Sequence, residues 1–388
     1  MGSSSGRRAA SWPTRRSRVP DHELRRLAEV LVDYSTAVEA GDVVRIVGHP
    51  TTTPLIQELY RAALGAGGHP SAQLIVDEAL ETLLEEGSGD QVEWVPLDVR
   101  WNVEQDDVWI ALDGPENTRH LTGADPAKLA RRLKAREPYQ ARYLERFGAG
   151  EFRWILCAYP SEAAAQEAGM SLSEFRELLH RACFLDAEDP VAEWTSFGEQ
   201  LDRIGSFVET TSQLRIVAED TDLTLGVGGR TWIRSNGKTN LPDGEVFTGP
   251  HETSVEGTIR FNFPAAIRGR QAEDVRLRFE GGEVVEATAS RGESFLRELI
   301  GMDDGARRAG EFAFGLNDAV TDHTGSVLLD EKIGGSVHLA LGRSVVGTGG
   351  ENVSALHWDM VCDLRQGSEV YADGELVYRD GRFLDGIA

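Results

Sequence analysis

Four short apolar runs, at 42–47, 72–76, 107–112 and 153–158, punctuate the first part of this chain, and helix-like stretches stand between them. Strands that far apart in sequence cannot be hairpin neighbours. They need crossover connections, which are right-handed and build a mostly parallel sheet. The intervening pattern agrees: Leu24, Leu27, Leu31, Tyr34 and Val38 recur at helical spacing, and 52–64 is a second helix stopped by Gly65 and Gly67–Gly68. Stretches 78–86 and 126–147 read as further helices, and helices continue over 161–185 and 190–210. From Gln213 the texture changes to short alternating runs at 214–218, 222–227, 230–233, 255–263, 275–279 and 284–289, with one helix at 293–299. Gly281–Gly282 between two of these runs is a hairpin signal. A chain of 388 residues is too long for one ordinary core. The expected architecture is α/β: a disordered leader at 1–18, a mostly parallel N-terminal α/β sheet domain over 19–205, and a mixed or antiparallel α+β domain over 206–388.

Composition narrows the function classes. A formal charge of −24 argues against nucleic acid, whose phosphates need a basic surface. No apolar run is long enough for a transmembrane helix, and the Ser- and Arg-rich start lacks the apolar stretch of a secretory signal. Three cysteines without paired spacing point to a reducing compartment, so a cytoplasmic protein is expected. Gly48-His49-Pro50-Thr51-Thr52, after the first strand, fits neither a G-x-G-x-x-G nor a P-loop pattern, so no nucleotide site is assigned. Cys157 lies in an apolar strand and reads as core. His49, His120, His180, His251 and His323 are scattered and read as structural or surface residues, although the position of His251 just after Pro250 would also let it line a cleft.

The chemistry is expected in the second half. His357 and Asp359 form an H-x-D pair in an apolar run, and alternate strand positions face the same side. Imidazole plus carboxylate suits zinc, cobalt, manganese or iron, although a salt-bridged surface histidine would give the same pair. Glu245 follows a rigid Asn-Leu-Pro-Asp-Gly turn, and Glu311 is the one charge in Gly-Glu-Phe-Ala-Phe-Gly. Isolated carboxylates in such segments are costly to bury unless paired or metal-bound, while at a strand edge they would simply face water. Glu331 can pair with the adjacent Lys332.

The blocks NLPDGEVFTGPHETSVEGTIRFNFPA (240–265), ARRAGEFAFGLN (306–317), LLDEKIGGSVHLALGRS (328–344), GGENVSALHWDMVCD (349–363) and YADGELVYRDGRF (371–383) together resemble the M29 family of metal-dependent aminopeptidases. The resemblance spans the second half in order; the first half is similar mainly in its helix–strand pattern. It implies a two-metal hydrolytic site with ligands Glu245, Glu311, His338, His357 and Asp359, and with Glu311 as the bridge. Glu331 is implied as a further ligand or as the catalytic base. It also implies two divalent ions (Zn, Co, Mn or Mg), a peptide or aminoacyl substrate and a homodimer, while the charge and hydropathy above argue for no nucleic-acid or membrane partner. One position departs from the family. A tyrosine commonly stands seven residues after the first ligand histidine; here it is Val345, after Arg343 and Ser344. Two other readings follow. A mononuclear iron dioxygenase of the dihydroxypyridine type is similar in fold and would use His338, His357 and Asp359. A non-catalytic metal-binding relative is the other.

Overall fold

The computed structural model describes residues 21–267 and 269–387. The leader expected at 1–18 lies outside them. Strands β1 (Val43–Gly48), β2 (His69–Leu74), β3 (Val108–Asp113) and β4 (Arg153–Ala158) are parallel, in the order β2-β1-β3-β4. Val44, Ile46, Val108, Ile110, Ile155 and Cys157 are buried completely, and the helix Thr53–Gly65 covers the sheet with Leu55, Ile56, Leu59 and Ala63. Cys157 is therefore a core residue, and burial pushes its thiol far above the usual range.

Local chemistry sets the element ends. The helix expected to run to Val38 is α-helical only over Asp21–Glu29, passes into a π-helical turn at Val30–Ser35, and stops before Ala37, whose φ is +43°. The stretch 161–185 divides into Glu162–Glu167 and Leu172–Ala182. Ser171 and Glu174 make a reciprocal capping box that starts the second helix. Two helices, Gly89–Glu93 and Leu97–Gln105, fall in a stretch where the periodicity shows none. The helix Pro190–Glu209 is opened by the Asp189 carboxylate, which accepts from the Val191 and Ala192 amides, and residue 205 lies inside it.

The β-rich half contains β5 (Gln213–Ala218), β6 (Thr221–Gly226), β7 (Ile233–Ser235), β8 (Asn240–Leu241), β9 (Glu245–Thr248), β10 (Glu256–Phe261) and the small hairpin β11 (Ala265–Ile267) with β12 (Arg270–Ala272). Then come β13 (Val275–Glu280), β14 (Glu283–Thr288), β15 (Ala309–Gly315), β16 (Ser336–Gly342), β17 (His357–Asp363), β18 (Glu369–Ala372), β19 (Glu375–Arg379) and β20 (Arg382–Phe383). One sheet runs β14-β13-β10-β6-β5-β18-β19-β20, and a second runs β17-β16-β15-β9-β7. Both bury residues in one common core, among them Ile216, Leu223 and Leu277 from the first sheet and Phe312, Leu339 and Trp358 from the second. The odd strand is β8. It pairs in parallel with β4, so residues 240 and 241 complete the N-terminal sheet. No helix among the described residues is long and apolar enough to cross a membrane.

Candidate metal centre

The register of the sheet β17-β16-β15-β9-β7 decides which side chains meet. Val246, Phe312, Phe314, Leu339, Leu341, Trp358 and Met360 alternate into the common core. Alternation then turns Glu245, Glu311, His338, His357 and Asp359 to the other face. On β16, Ala340 stands opposite both Asp359 and Glu311, so at this level of the sheet only its methyl lies between the two carboxylates. His338 is opposite Ala313, His357 opposite Gly342, and Glu245 opposite Gly315. Each of the five thus has a small cross-strand neighbour, which leaves room for its head group to turn inward.

A bulge between Ala309 and Glu311 keeps Ala309 in the core while Glu311 faces the centre. Only glycine fits at the bulge: a Cβ on Gly310 would lie 2.3 Å from the Gly342 carbonyl oxygen and 2.5 Å from that of Arg343. The Arg343 carbonyl is 2.7 Å from His357 Nδ1. It accepts from Nδ1–H, so the imidazole, once neutral, turns its Nε2 lone pair to the centre. Gly310→Ala is therefore expected to displace this carbonyl and destabilise the protein by about 1–3 kcal/mol, the usual cost of overpacking. Metal affinity should fall about 10- to 100-fold through the loosened imidazole. Thermal unfolding and competitive metal titration check this; unchanged affinity would mean that the Arg343 carbonyl does not orient His357.

Glu311 has a different histidine on each oxygen. Its Oε1 lies 3.5 Å from His338 Nε2 and its Oε2 lies 3.3 Å from His357 Nε2. His338 Nε2 is also 3.7 Å from Glu245 Oε2, and His357 Nε2 is 3.5 Å from Asp359 Oδ1. Three compact donor groups result: Glu245–Glu311–His338, Glu311–His357–Asp359 and Glu331–His338–Asp359. The structure thus brings together all five expected ligands and Glu331. It does not gather His338, His357 and Asp359, the triad that a mononuclear iron site would need, into one such group among the described residues.

Several atoms here are buried without a hydrogen-bond partner: Glu245 Oε2, both nitrogens of His338 and Asp359 Oδ1. Leaving such groups unpaired is costly, and a divalent cation among them removes that cost. The mixed imidazole and carboxylate donors fit such a cation.

Lys332 went unread as part of the site. It is fully buried, with Nζ 2.5 Å from Glu245 Oε1, 2.9 Å from Glu331 Oε2 and 3.8 Å from Asp243 Oδ1. Asp243 is also fully buried and accepts from the Gly237 and Gly244 amides. Asn317 ties this floor together by donating to the carbonyls of Asp243 and Ala182. The signal in the sequence was thin: one of only four lysines, placed beside a glutamate in a motif.

Without an ion the centre holds extra protons. Burial raises Glu245 to about 7 although Lys332 opposes it, and raises Asp359 well above the carboxylate range, helped by the charges of Glu331 and Glu311. Burial would raise Glu311 too, but His338 and His357 outweigh it and hold this carboxylate at about 2. Burial disfavours charge on both imidazoles, yet Glu311 and its neighbours push His338 up to about 10 and His357 up to about 9.

The remaining histidines lie elsewhere. His49 and His120 flank Asp77 at 3.6 and 3.7 Å, His323 pairs with Asp330 at 3.2 Å, and His251 Nε2 meets the Gly228 carbonyl at 2.9 Å. Val345 is half-buried in the loop between β16 and β17, with its carbonyl accepting from Thr348 Oγ1 at 2.7 Å. Ser344 Oγ accepts from the Asn352 amide within the same loop.

A family model described as thermophilic metalloprotease (M29) matches residues 20–383. The aminopeptidase T of Thermus aquaticus is 32% identical over 254 residues, 61% of this chain and 62% of that protein's length. Among solved structures, wild-type AmpT from Thermus thermophilus superposes with a TM-score of 0.80 at 24% identity, over 93% of this chain and 99% of that one. The 2,5-dihydroxypyridine dioxygenase of Pseudomonas putida KT2440 gives a TM-score of 0.61 at 15% identity, over 95% and 99%. At these identities the two structural likenesses are likenesses of fold.

Proposed function

This chain belongs to the M29 family of thermophilic metalloproteases, and from that premise we propose that it is a metal-dependent aminopeptidase that removes N-terminal residues from peptides or aminoacyl substrates. The observation that carries the reading is Glu311, whose two oxygens each face a different histidine. The groups Glu245–Glu311–His338 and Glu311–His357–Asp359 overlap only in Glu311. Each is taken as the ligand set of one ion, with Glu311 as the bridge. Charge supports two ions. The ammonium of Lys332 lies against Asp243, Glu245 and Glu331, and Glu311 and Asp359 add two more carboxylates at the histidines, so neutral imidazoles leave four negative charges for two divalent cations to balance. The imidazole donors favour Zn, Co or Mn over Mg.

When bound, such ions acidify a water, polarise the scissile carbonyl and take the free α-amine of the substrate. The chain's own residues do the rest. His338 is fully buried at the floor, while the His357 side chain is 25% exposed, so substrate approaches from the His357 side. A Glu331 oxygen lies within 4.8 Å of donor atoms of His338 and Asp359, placed to accept a proton from the attacking water and pass it to the departing amine. The dioxygenase reading requires both histidines around one ion, and the compact groups divide them. A homodimer in the cytoplasm completes the proposal; the free, buried cysteines Cys157, Cys183 and Cys362 support the reducing compartment, and the dimer rests on the family resemblance.

The test is calorimetric titration of the metal-free protein with zinc or cobalt in buffers of different ionisation enthalpy. Two equivalents per chain are expected. Protons should be released, because His338 and His357 are protonated at neutral pH without an ion and must give up those protons to ligate. Apparent affinity should accordingly rise with pH toward about 9–10. One equivalent, or binding without proton release, counts against the two-ion assignment.

A further inference from the structure

The buried ammonium of Lys332 touches two carboxylates of the centre and leaves each with one oxygen. On Glu245 it takes Oε1 at 2.5 Å, and the other oxygen, Oε2, is buried without a hydrogen-bond partner, 3.7 Å from His338 Nε2. On Glu331 it takes Oε2 at 2.9 Å. A carboxylate whose second oxygen is held by a fixed ammonium can offer a cation one oxygen; a free carboxylate can close on it with both. Lys332 is itself immobilised. Its backbone amide donates to the Leu329 carbonyl, its carbonyl accepts from the Asn317 amide, and its side chain has no solvent exposure.

We propose that Lys332 is a positioning residue that forces Glu245 and Glu331 to present single oxygens to the centre, and so keeps a coordination place open for water and substrate. The proposal rests on the two-ion reading above. A lysine suits this role better than an arginine, because a compact ammonium can serve two carboxylates from one point where a planar fork would spread them. The third carboxylate, Asp243, sits 3.8 Å away and is occupied by two backbone amides, so it balances charge without competing for the lysine's direct bonds.

The experiment uses cobalt-loaded parent protein and Lys332→Met, which keeps the length of the chain and removes charge and donors. With the lysine gone, Glu245 can chelate through both oxygens, and Glu331 loses the contact that fixes which oxygen it turns to the attacking water. Lys332→Met should retain both metal equivalents. Its cobalt absorption should weaken and shift toward higher coordination number, and kcat should fall about 10- to 100-fold while KM changes little. Lys332→Gln, which restores a neutral amide donor group, should recover part of the parental spectrum. A purely structural lysine would lower thermal stability and leave spectrum and kcat per folded molecule unchanged, and that result overturns the proposal. Loss of metal from Lys332→Met overturns it too, as does failure of both variants to fold, which would assign the lysine to the scaffold. A parent that binds fewer than two ions instead removes the two-ion reading on which the proposal stands, and the parent titration alone reports that.

Discussion

Glu311→Gln is expected to lose at least one metal equivalent and nearly all peptidase activity while the protein stays folded. The substitution keeps volume and one carbonyl oxygen. It removes the charge that lets a single side chain face His338 on one oxygen and His357 on the other. Breaking one partner out of a buried charge set costs about 3–5 kcal/mol, which corresponds to roughly 10²- to 10⁴-fold in binding. Global stability should survive, because the site lies on strands whose opposite face packs Phe312, Phe314, Leu339 and Leu341 into a core that the substitution does not touch. Elemental analysis of dialysed protein, circular dichroism and hydrolysis of an aminoacyl amide read the three parts separately. A Glu311→Gln protein with two ions and parental turnover would remove Glu311 from the bridge.

The second large effect concerns Val345. If the tyrosine usual in the family donates to the developing oxyanion, its absence removes one donor from the transition state, on the order of 10²–10³ in rate. The parent should then be a slow aminopeptidase, and Val345→Tyr should raise kcat by about that factor with little change in KM. The loop has room for the change: Val345 is half-buried and the adjacent Val346 is almost fully exposed. Of its neighbours, Ser344 Oγ accepts from the Asn352 amide and retains its own O–H, and Arg343 carries a guanidinium, so these two are the donors at hand in place of the missing hydroxyl. Steady-state kinetics on aminoacyl amides decide the matter. Fast turnover by the parent means another donor is present, and a Val345→Tyr variant that stays slow with metals bound means the position is not catalytic.

Much of the architecture could be read from residue patterns because single elements obey local rules. The strand 153–158 and the helices from Pro126 and Pro190 begin where apolar period and start signals put them, and the helix expected from 78 begins one residue earlier, at Asp77. Glu245 and Glu311 could be suspected because a lone carboxylate in an apolar strand demands a partner. What escaped were properties of pairing. That Ala340 stands between Asp359 and Glu311, or that Gly315 faces Glu245, depends on register across strands far apart in sequence. Lys332 escaped for a related reason: a buried lysine is intelligible only once Asp243 and Glu245, nearly ninety residues upstream, are seen around it. The π-helical turn at Val30–Ser35 keeps apolar spacing close to that of an α-helix, so composition could not betray it.

The segment around β8 and β9 bears on how such a protein can be taken apart or recombined. Leu241 is buried in the core of the parallel sheet, and Val246 is buried in the core shared by the two other large sheets. Between them lie Asp243, in contact with the buried ammonium, and Glu245, a member of the metal centre. A fragment ending before this segment leaves the parallel sheet with an uncovered edge at β4. A fragment beginning at it carries away a strand whose apolar side chain has lost its partners. The metal-bearing half is therefore no portable cassette: shuffling or grafting must carry both sheets together, and sequence drift in either will be felt at the carboxylates between them.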